Sequence, residues 1–381
     1  MPRFAAIYTY PWDLADEGVD AALDRIAGVA QQTEVQMATS YHISTYFLPH
    51  NPKRQIYFGE DGMVLFQPEA ARYQRRRIRP RVSELVNGPH YYSALVDAIR
   101  NRGLRYGAWM VYAYNHHLAR TYPDCAKQDA LGNLSRAQLC VGNQETRAYF
   151  RTLTQEVLER FRPDSMFLES LSYLPFSYGF MNPKVFMEIT PRDQYLLGLC
   201  FCQHCVIAAS RSGMDSLQFR EAVAKHLRAS LPLNPTPELK VPVDQAWRDT
   251  AFDSRLAHYL ATRTTTATRL YEEMTDLCHR HGTKTVDFAP DNEPVTGLNP
   301  ERVIEVGDRF CLGEPEDARR WKAKWPKKEF LWSAEPPDTT PELAGRCRAA
   351  LAAGADGFTF YNYGLLREEN LRHIGDALKR L

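Results

Sequence analysis

The run Ser165-Met166-Phe167-Leu168-Glu169 decides the fold of this 381-residue chain. It is short, apolar and ends in a carboxylate. Before it lies Gln144 to Phe161, where Phe150, Leu153, Val157 and Phe161 recur at helical spacing and Pro163 stops the pattern. After it comes an aromatic loop, Tyr173 to Phe180, and then Cys200-Phe201-Cys202-Gln203-His204-Cys205. A helix feeding a buried strand, with polar groups at the strand's end, is one unit of a parallel β/α fold.

The same unit recurs in both directions. Apolar runs at Phe4 to Tyr10, Val35 to Tyr41 and Arg105 to Tyr114 precede it. Lys284 to Ala289, Arg309 to Leu312, Glu329 to Ser333 and Gly357 to Tyr363 follow. Helical patterns separate them, at Ala15 to Ala30, Tyr91 to Arg102, Ala246 to His281, Pro300 to Val306, Glu316 to Trp325, Pro341 to Ala353 and Arg367 to Leu378. Eight strands alternating with helices predict a (β/α)8 TIM barrel, a single catalytic domain over 1–381. An open doubly wound sheet is the rival, but Tyr8-Thr9-Tyr10-Pro11-Trp12 lacks the glycine-rich first turn such sheets use. Long insertions after the second strand (about 42–90) and the fourth (about 171–245) carry the chain beyond the roughly 250 residues of a plain barrel. The first insertion is aromatic and basic. It is expected to cover the mouth and restrict the site to short substrates, or to mediate association.

Composition narrows the function. Net charge is +1, and the one basic run, Arg75-Arg76-Arg77, sits in a loop, so nucleic acid is not an expected partner. No stretch approaches the roughly 20 apolar residues of a membrane span. Phe4 to Tyr8 is too short for a signal sequence, so a cytoplasmic setting is expected, with the eight cysteines free or metal-bound. Aromatic residues make up 12% of the chain and gather at strand ends, where they can pack on the C–H faces of sugar rings or fill the core.

In a barrel, polar residues at the C-terminal ends of strands converge on one mouth. Here these are Asp13, His42, His116 with His117, Glu169, Asp287, Glu314, Glu335 and Asn362. Tyr8, Tyr10, Trp12, Tyr41, Tyr114, Trp332, Tyr361 and Tyr363 are the expected walls. Glu169 and Glu335 follow strands four and seven, which face each other across a barrel. Two facing carboxylates suit glycosidic cleavage, one as proton donor and one as nucleophile. Tyr10, Trp12, His42, His116, Asp287, Glu314, Trp332, Asn362 and Tyr363 are the expected substrate contacts. His116-His117 suits hydrogen bonding better than joint metal ligation.

Cys200, Cys202 and Cys205 form C-x-C-x-x-C, which can wrap three thiolates around zinc. Cys140 is the best fourth ligand, ahead of Cys125 and His204. Cys278, Cys311 and Cys347 read as core hydrophobes.

These features resemble the large clan of retaining glycoside hydrolases with catalytic glutamates on strands four and seven. Within it, Tyr122-Pro123-Asp124, Leu139-Cys140 and the C-x-C-x-x-C motif are similar to glycoside hydrolase family 42, the β-galactosidases with a zinc cluster. The resemblance covers the barrel. It implies Glu169 as acid/base, Glu335 as nucleophile, and a structural zinc on Cys140, Cys200, Cys202 and Cys205. Leu168 stands where the clan usually has Asn, and the gap from Glu169 to Cys200 is longer than the family's. The expected function is hydrolysis of a small glycoside or oligosaccharide, probed against two alternatives: a sugar isomerase, epimerase or lyase on the same barrel, and a non-catalytic sugar-binding barrel. Carbohydrate is the expected partner, and self-association into a homo-oligomer is left open.

Overall fold

The computed structural model describes residues 4–180, 182–235, 241–290 and 293–381. Eight strands form the centre: β1 (Phe4–Thr9), β2 (Glu34–Tyr41), β3 (Arg105–Val111), β4 (Ser165–Glu169), β5 (Lys284–Phe288), β6 (Arg309–Leu312), β7 (Glu329–Ala334) and β8 (Gly357–Phe360). Each pairs in parallel with the next, and β8 pairs with β1, so the sheet closes into a (β/α)8 barrel.

Alternation along each strand sends every second side chain inward. The inward residues stack in layers. The lowest is polar. Gln36 donates from Nε2 to Ser165 Oγ (2.6 Å) and Glu34 Oε1 (2.7 Å), while Arg309 reaches Glu34 (3.4 Å) and Glu329 (2.7 Å). A methyl group on Gly107 of β3 would fall 2.4 Å from the Gln36 side chain, which is why glycine stands there. The next layer centres on Tyr8, edge-on to Trp109 (5.1 Å) and Phe167 (5.6 Å), with its hydroxyl 3.7 Å from Cys311 Sγ. Above that layer lies the mouth.

Several boundaries differ from the sequence expectation. The first helical segment begins at Pro11 and is interrupted at Gly18, whose φ of 91° breaks it into Pro11–Glu17 and Val19–Asp24. The predicted helix 246–281 is two helices, Gln245–Thr250 and Arg255–Arg280, because Phe252, Asp253 and Ser254 take left-handed φ values of 55°, 57° and 62°.

The excursion after β2 folds a hairpin, Thr45–Phe47 with Ile56–Phe58, and adds Met63–Val64 antiparallel to the end of β2. Tyr46 and Tyr57 of the hairpin pack on Trp12 at 5.4 and 5.1 Å. The excursion after β4 builds a satellite core of its own, with Leu196, Phe201, Phe219, Val223, Leu256 and Tyr259 among its members. A third excursion, after β3, was not expected. It carries the helix His116–Thr121 and the hairpin Ala126–Gln128 with Leu134–Leu139, and it delivers Cys140. No helix among the described residues is long and apolar enough to cross a membrane.

Candidate active site and metal centre

Glu169 is the last residue of β4. With Ser165 and Phe167 it faces inward, and Trp109 on neighbouring β3 donates its indole N–H to Glu169 Oε2 at 2.6 Å. Burial among apolar side chains disfavours the charged form more than this one hydrogen bond restores it, so the carboxyl is pushed up to about 7. It can therefore hold a proton near neutrality.

Glu169 opens onto a cleft of about 330 Å³ whose walls include Tyr173, Tyr178, Asp287 and Phe288. Asp287 lies on β5, accepts from the Phe288 N–H at 2.7 Å and is 9% exposed. Burial raises its pKa well above the carboxylate range, and the charge on Glu169 adds to the effect. Phe288, edge-on to Phe167 at 5.1 Å, is 55% exposed, a large aromatic surface turned to solvent beside two carboxyl groups.

Three tyrosine hydroxyls meet beside this cleft. Tyr10 donates to Tyr41 at 3.0 Å, and Tyr361 lies 3.4 Å from Tyr10 and 3.3 Å from Tyr41. The Tyr361 pKa is raised by burial first, and further by the negative charge of both Glu169 and Glu335. Tyr361 thus senses both carboxylates. Glu335 follows β7 and is exposed. Its backbone N–H donates to Asp338 Oδ2 at 2.9 Å at the start of the short helix Pro336–Asp338.

His42 is stacked on Tyr41 (4.3 Å) and lies against Tyr114 (4.4 Å). Burial pushes its ring down to about 4, so it is neutral at pH 7. His116 does not end a strand. It sits in the first turn of the helix His116–Thr121, whose N-cap Asn115 accepts from the Leu118 N–H at 2.8 Å.

Other expected contacts lie elsewhere. Trp332 faces the helix layer, with the Arg346 guanidinium 4.8 Å over its ring and its N–H on the Gly313 carbonyl at 3.2 Å. The strand alternation that turns Leu331 and Ser333 inward turns Trp332 outward. Trp12 is sealed by Tyr10 and the hairpin tyrosines and is 1% exposed. Tyr10 is fully buried, so its hydroxyl acts on the mouth through Tyr41 and Tyr361. Tyr363 donates to Glu17 at 2.7 Å, away from the carboxylates. Asn362 is buried and accepts from the Gly364 N–H at 3.2 Å. Glu314 is exposed, with Arg346 at 3.9 Å. Conversely, Trp109, Tyr178 and Phe288 had not been singled out. Two of them adjoin residues that had been: Phe288 follows Asp287, and Tyr178 lies in the aromatic loop.

The sulfurs of Cys140, Cys200, Cys202 and Cys205 lie within 4.8 Å of one another, all buried. Cys140 Sγ is 3.4, 3.7 and 3.4 Å from those of Cys205, Cys200 and Cys202. Disulfide sulfurs would be about 2.0 Å apart. A tetrahedron with zinc–sulfur bonds of about 2.3 Å has edges of about 3.8 Å, so the donor set fits zinc. Cys125 and His204 are outside this cluster. Tyr173, which walls the cleft, places its hydroxyl 3.4 Å from Cys205 Sγ and its ring 4.4 Å under the Arg263 guanidinium. Buried Lys127 has its pKa lowered by burial to about 8, against the opposing pull of Cys200 and Cys140.

Glycoside hydrolases share this fold. The α-L-fucosidase isoenzyme 2 of Paenibacillus thiaminolyticus superposes with a TM-score of 0.56 at 14% identity, over 99% of this chain and 49% of its own. The β-galactosidase of Halorubrum lacusprofundi gives 0.56 at 13%, over 99% and 58%. Gan42B, a family 42 β-galactosidase, gives 0.55 at 11%, over 100% and 57%. The chain spans about half to three fifths of the length of these proteins. No family model and no curated protein matches its sequence.

Proposed function

We propose that the protein is a retaining glycoside hydrolase acting on a small glycoside or oligosaccharide. The observation that carries this reading is Glu169: a strand-end carboxyl at about 7, tethered by Trp109 in an aromatic-walled cleft. In the first step Glu169 protonates the leaving oxygen while Glu335 attacks the anomeric carbon, forming a glycosyl ester and releasing the alcohol. In the second step Glu169, now ionised, takes a proton from water. That water breaks the ester and frees Glu335. Tyr361, whose hydroxyl is raised by burial and by the charge of both Glu169 and Glu335, is the tyrosine nearest the reacting pair in this reading.

Asp287 shares the cleft with Glu169, which favours a second reading in which it, and not Glu335, is the partner carboxyl. Cys140, Cys200, Cys202 and Cys205 would hold a zinc ion, which would cross-link the excursions after β3 and β4 and, with four thiolate donors, would serve a structural part. None of the eight cysteines is paired in a disulfide, which suits a reducing, cytoplasmic setting.

A panel of aryl glycosides tests the reading. Glu335→Gln should abolish turnover on all of them. Glu169→Gln should abolish it on poor leaving groups and spare the first step on activated ones, which need no proton. If Asp287→Asn, and not Glu335→Gln, removes the first step, the second reading holds. If wild-type protein cleaves no glycoside, both fail.

A further inference from the structure

Two buried cations back the cleft wall at Tyr173 and Leu174: Lys127, 6% exposed, and Arg263, 3% exposed. Neither has a part in the reaction above. Lys127 Nζ donates to the Leu174 carbonyl at 3.3 Å. Arg263 Nη2 donates to the Val295 carbonyl at 3.1 Å, and its Nε has no hydrogen-bond partner. Among the described residues no carboxylate stands within salt-bridge distance of either cation. Asp129, two residues on from Lys127, instead accepts from the Asn133 backbone N–H and side-chain amide, both at 2.9 Å. Burial disfavours the Lys127 ammonium, and the Arg263 charge adds to this. Carbonyl oxygens alone do not offset the cost of two like charges out of water, so an anion must lie beside them.

The anion at hand is the four-cysteine cluster. Lys127 sits between residues bonded to both ligand-bearing segments. Ala126 pairs with Leu139, next to Cys140, and the Gln128 carbonyl accepts at 2.6 Å from the N–H of Phe201, between Cys200 and Cys202. Arg263 follows Tyr259 by one helical turn, and the Tyr259 hydroxyl donates to the Cys200 carbonyl. The Tyr173 ring, 4.4 Å under the Arg263 guanidinium, carries its hydroxyl to 3.4 Å from Cys205 Sγ. A divalent ion on four thiolates carries two negative charges in excess. One lysine and one arginine cancel them.

The same cations hold the cleft wall. Lys127 fixes Leu174 and Arg263 fixes Val295, while the Tyr173 N–H donates to the Thr296 carbonyl at 3.0 Å and closes the two segments together. Tyr173, Leu174 and Thr296 all line the cleft that Glu169 opens onto. We propose that Lys127 and Arg263 are the counter-cations of the metal centre, and that through them the charge of the centre positions the Tyr173–Leu174 wall of the cleft. They are positioning residues and touch neither the metal nor the substrate. The proposal rests on the metal reading of the four cysteines and not on catalysis.

The test is competition for zinc between the full-length reduced protein and a chromogenic chelator. Lys127→Met should weaken zinc binding by about tenfold or more, and Lys127→Arg, which keeps the charge, should stay close to wild type. Arg263→Met and Arg263→Lys form a second pair, which decides the matter where a Lys127 variant does not fold. Amide hydrogen exchange over residues 171–174, read by mass spectrometry, should quicken in the neutral variants and not in the charged ones. Neutral variants with wild-type zinc affinity, neutral and charged variants weakened equally, or purified protein that holds no metal overturn the proposal. Unchanged exchange over 171–174 in a neutral variant with weakened zinc binding overturns the link to the wall. No measurement here needs a sugar, so a failure is distinct from a failure of the hydrolase reading.

Discussion

Replacing Glu169 by Gln should stabilise the protein, and only above the pH at which an unfolded glutamate ionises. The Glu169 carboxyl moves from an ordinary 4.5 to about 7 on folding because it is buried. Below pH 4.5 it is protonated in both states and costs nothing. Between 4.5 and 7 the unfolded chain releases its proton first, so the folded state loses ground as pH rises. Above 7 the penalty is complete. At about 1.4 kcal/mol per pH unit the interval corresponds to about 3 kcal/mol. The amide introduced by Glu169→Gln has no proton to lose, and its oxygen can still accept from the Trp109 indole. With an unfolding entropy of about 2.1 cal/mol/K per residue over 381 residues, about 3 kcal/mol raises the melting temperature by about 4 °C. Asp287, raised by burial and by the charge on Glu169, reinforces the sign, since losing that charge eases its own ionisation. The assay is thermal unfolding of both proteins at pH 4 and pH 8, and it needs no substrate. A variant less stable than wild type at pH 8, or equally shifted at both pH values, would show that Glu169 is solvated and would undo its assignment as proton donor.

Trp109→Phe removes the one hydrogen bond that favours ionised Glu169, so the alkaline limb of kcat/KM on an aryl glycoside should move from about 7 to about 8 or 9; a limb that stays or falls contradicts the tether. Freshly purified reduced protein should contain one zinc by elemental analysis. Cys202→Ser should lose it and unfold at lower temperature, whereas Cys125→Ser should keep it. Trp332→Phe should lower stability by about 1 kcal/mol in denaturant titration and leave sugar affinity unchanged, since the ring packs under Arg346 in the helix layer.

The eight strands were legible because each is an apolar run bounded by a helix pattern, a signal that depends only on neighbours in sequence. The strand-end carboxylates were legible for the same reason: once a barrel is inferred, the last residue of a run has a known destination. The C-x-C-x-x-C triad was visible as spacing. Its fourth partner, 60 residues away, was ranked first among three and was decided by the fold, which brings Cys140 Sγ within 3.7 Å of the others. Side-chain direction at the mouth belonged to the tertiary structure. Trp332 lies within β7 and Glu335 just beyond its end, and pleat parity sends Trp332 into the helix layer while Glu335 stands exposed at the start of the next turn. Trp12 and Tyr363 look like mouth aromatics in sequence, but a hairpin from the excursion after β2 covers the first, and Glu17 draws away the second. Phe288 and Tyr178 gained their place only when β5 and the loop after β4 closed around one cleft. Local pattern fixes where a residue lies along the chain, because hydrophobic periodicity is a property of the backbone's own repeat. What surrounds that residue, and so what pKa and exposure it has, depends on segments far away in sequence, and packing alone sets that.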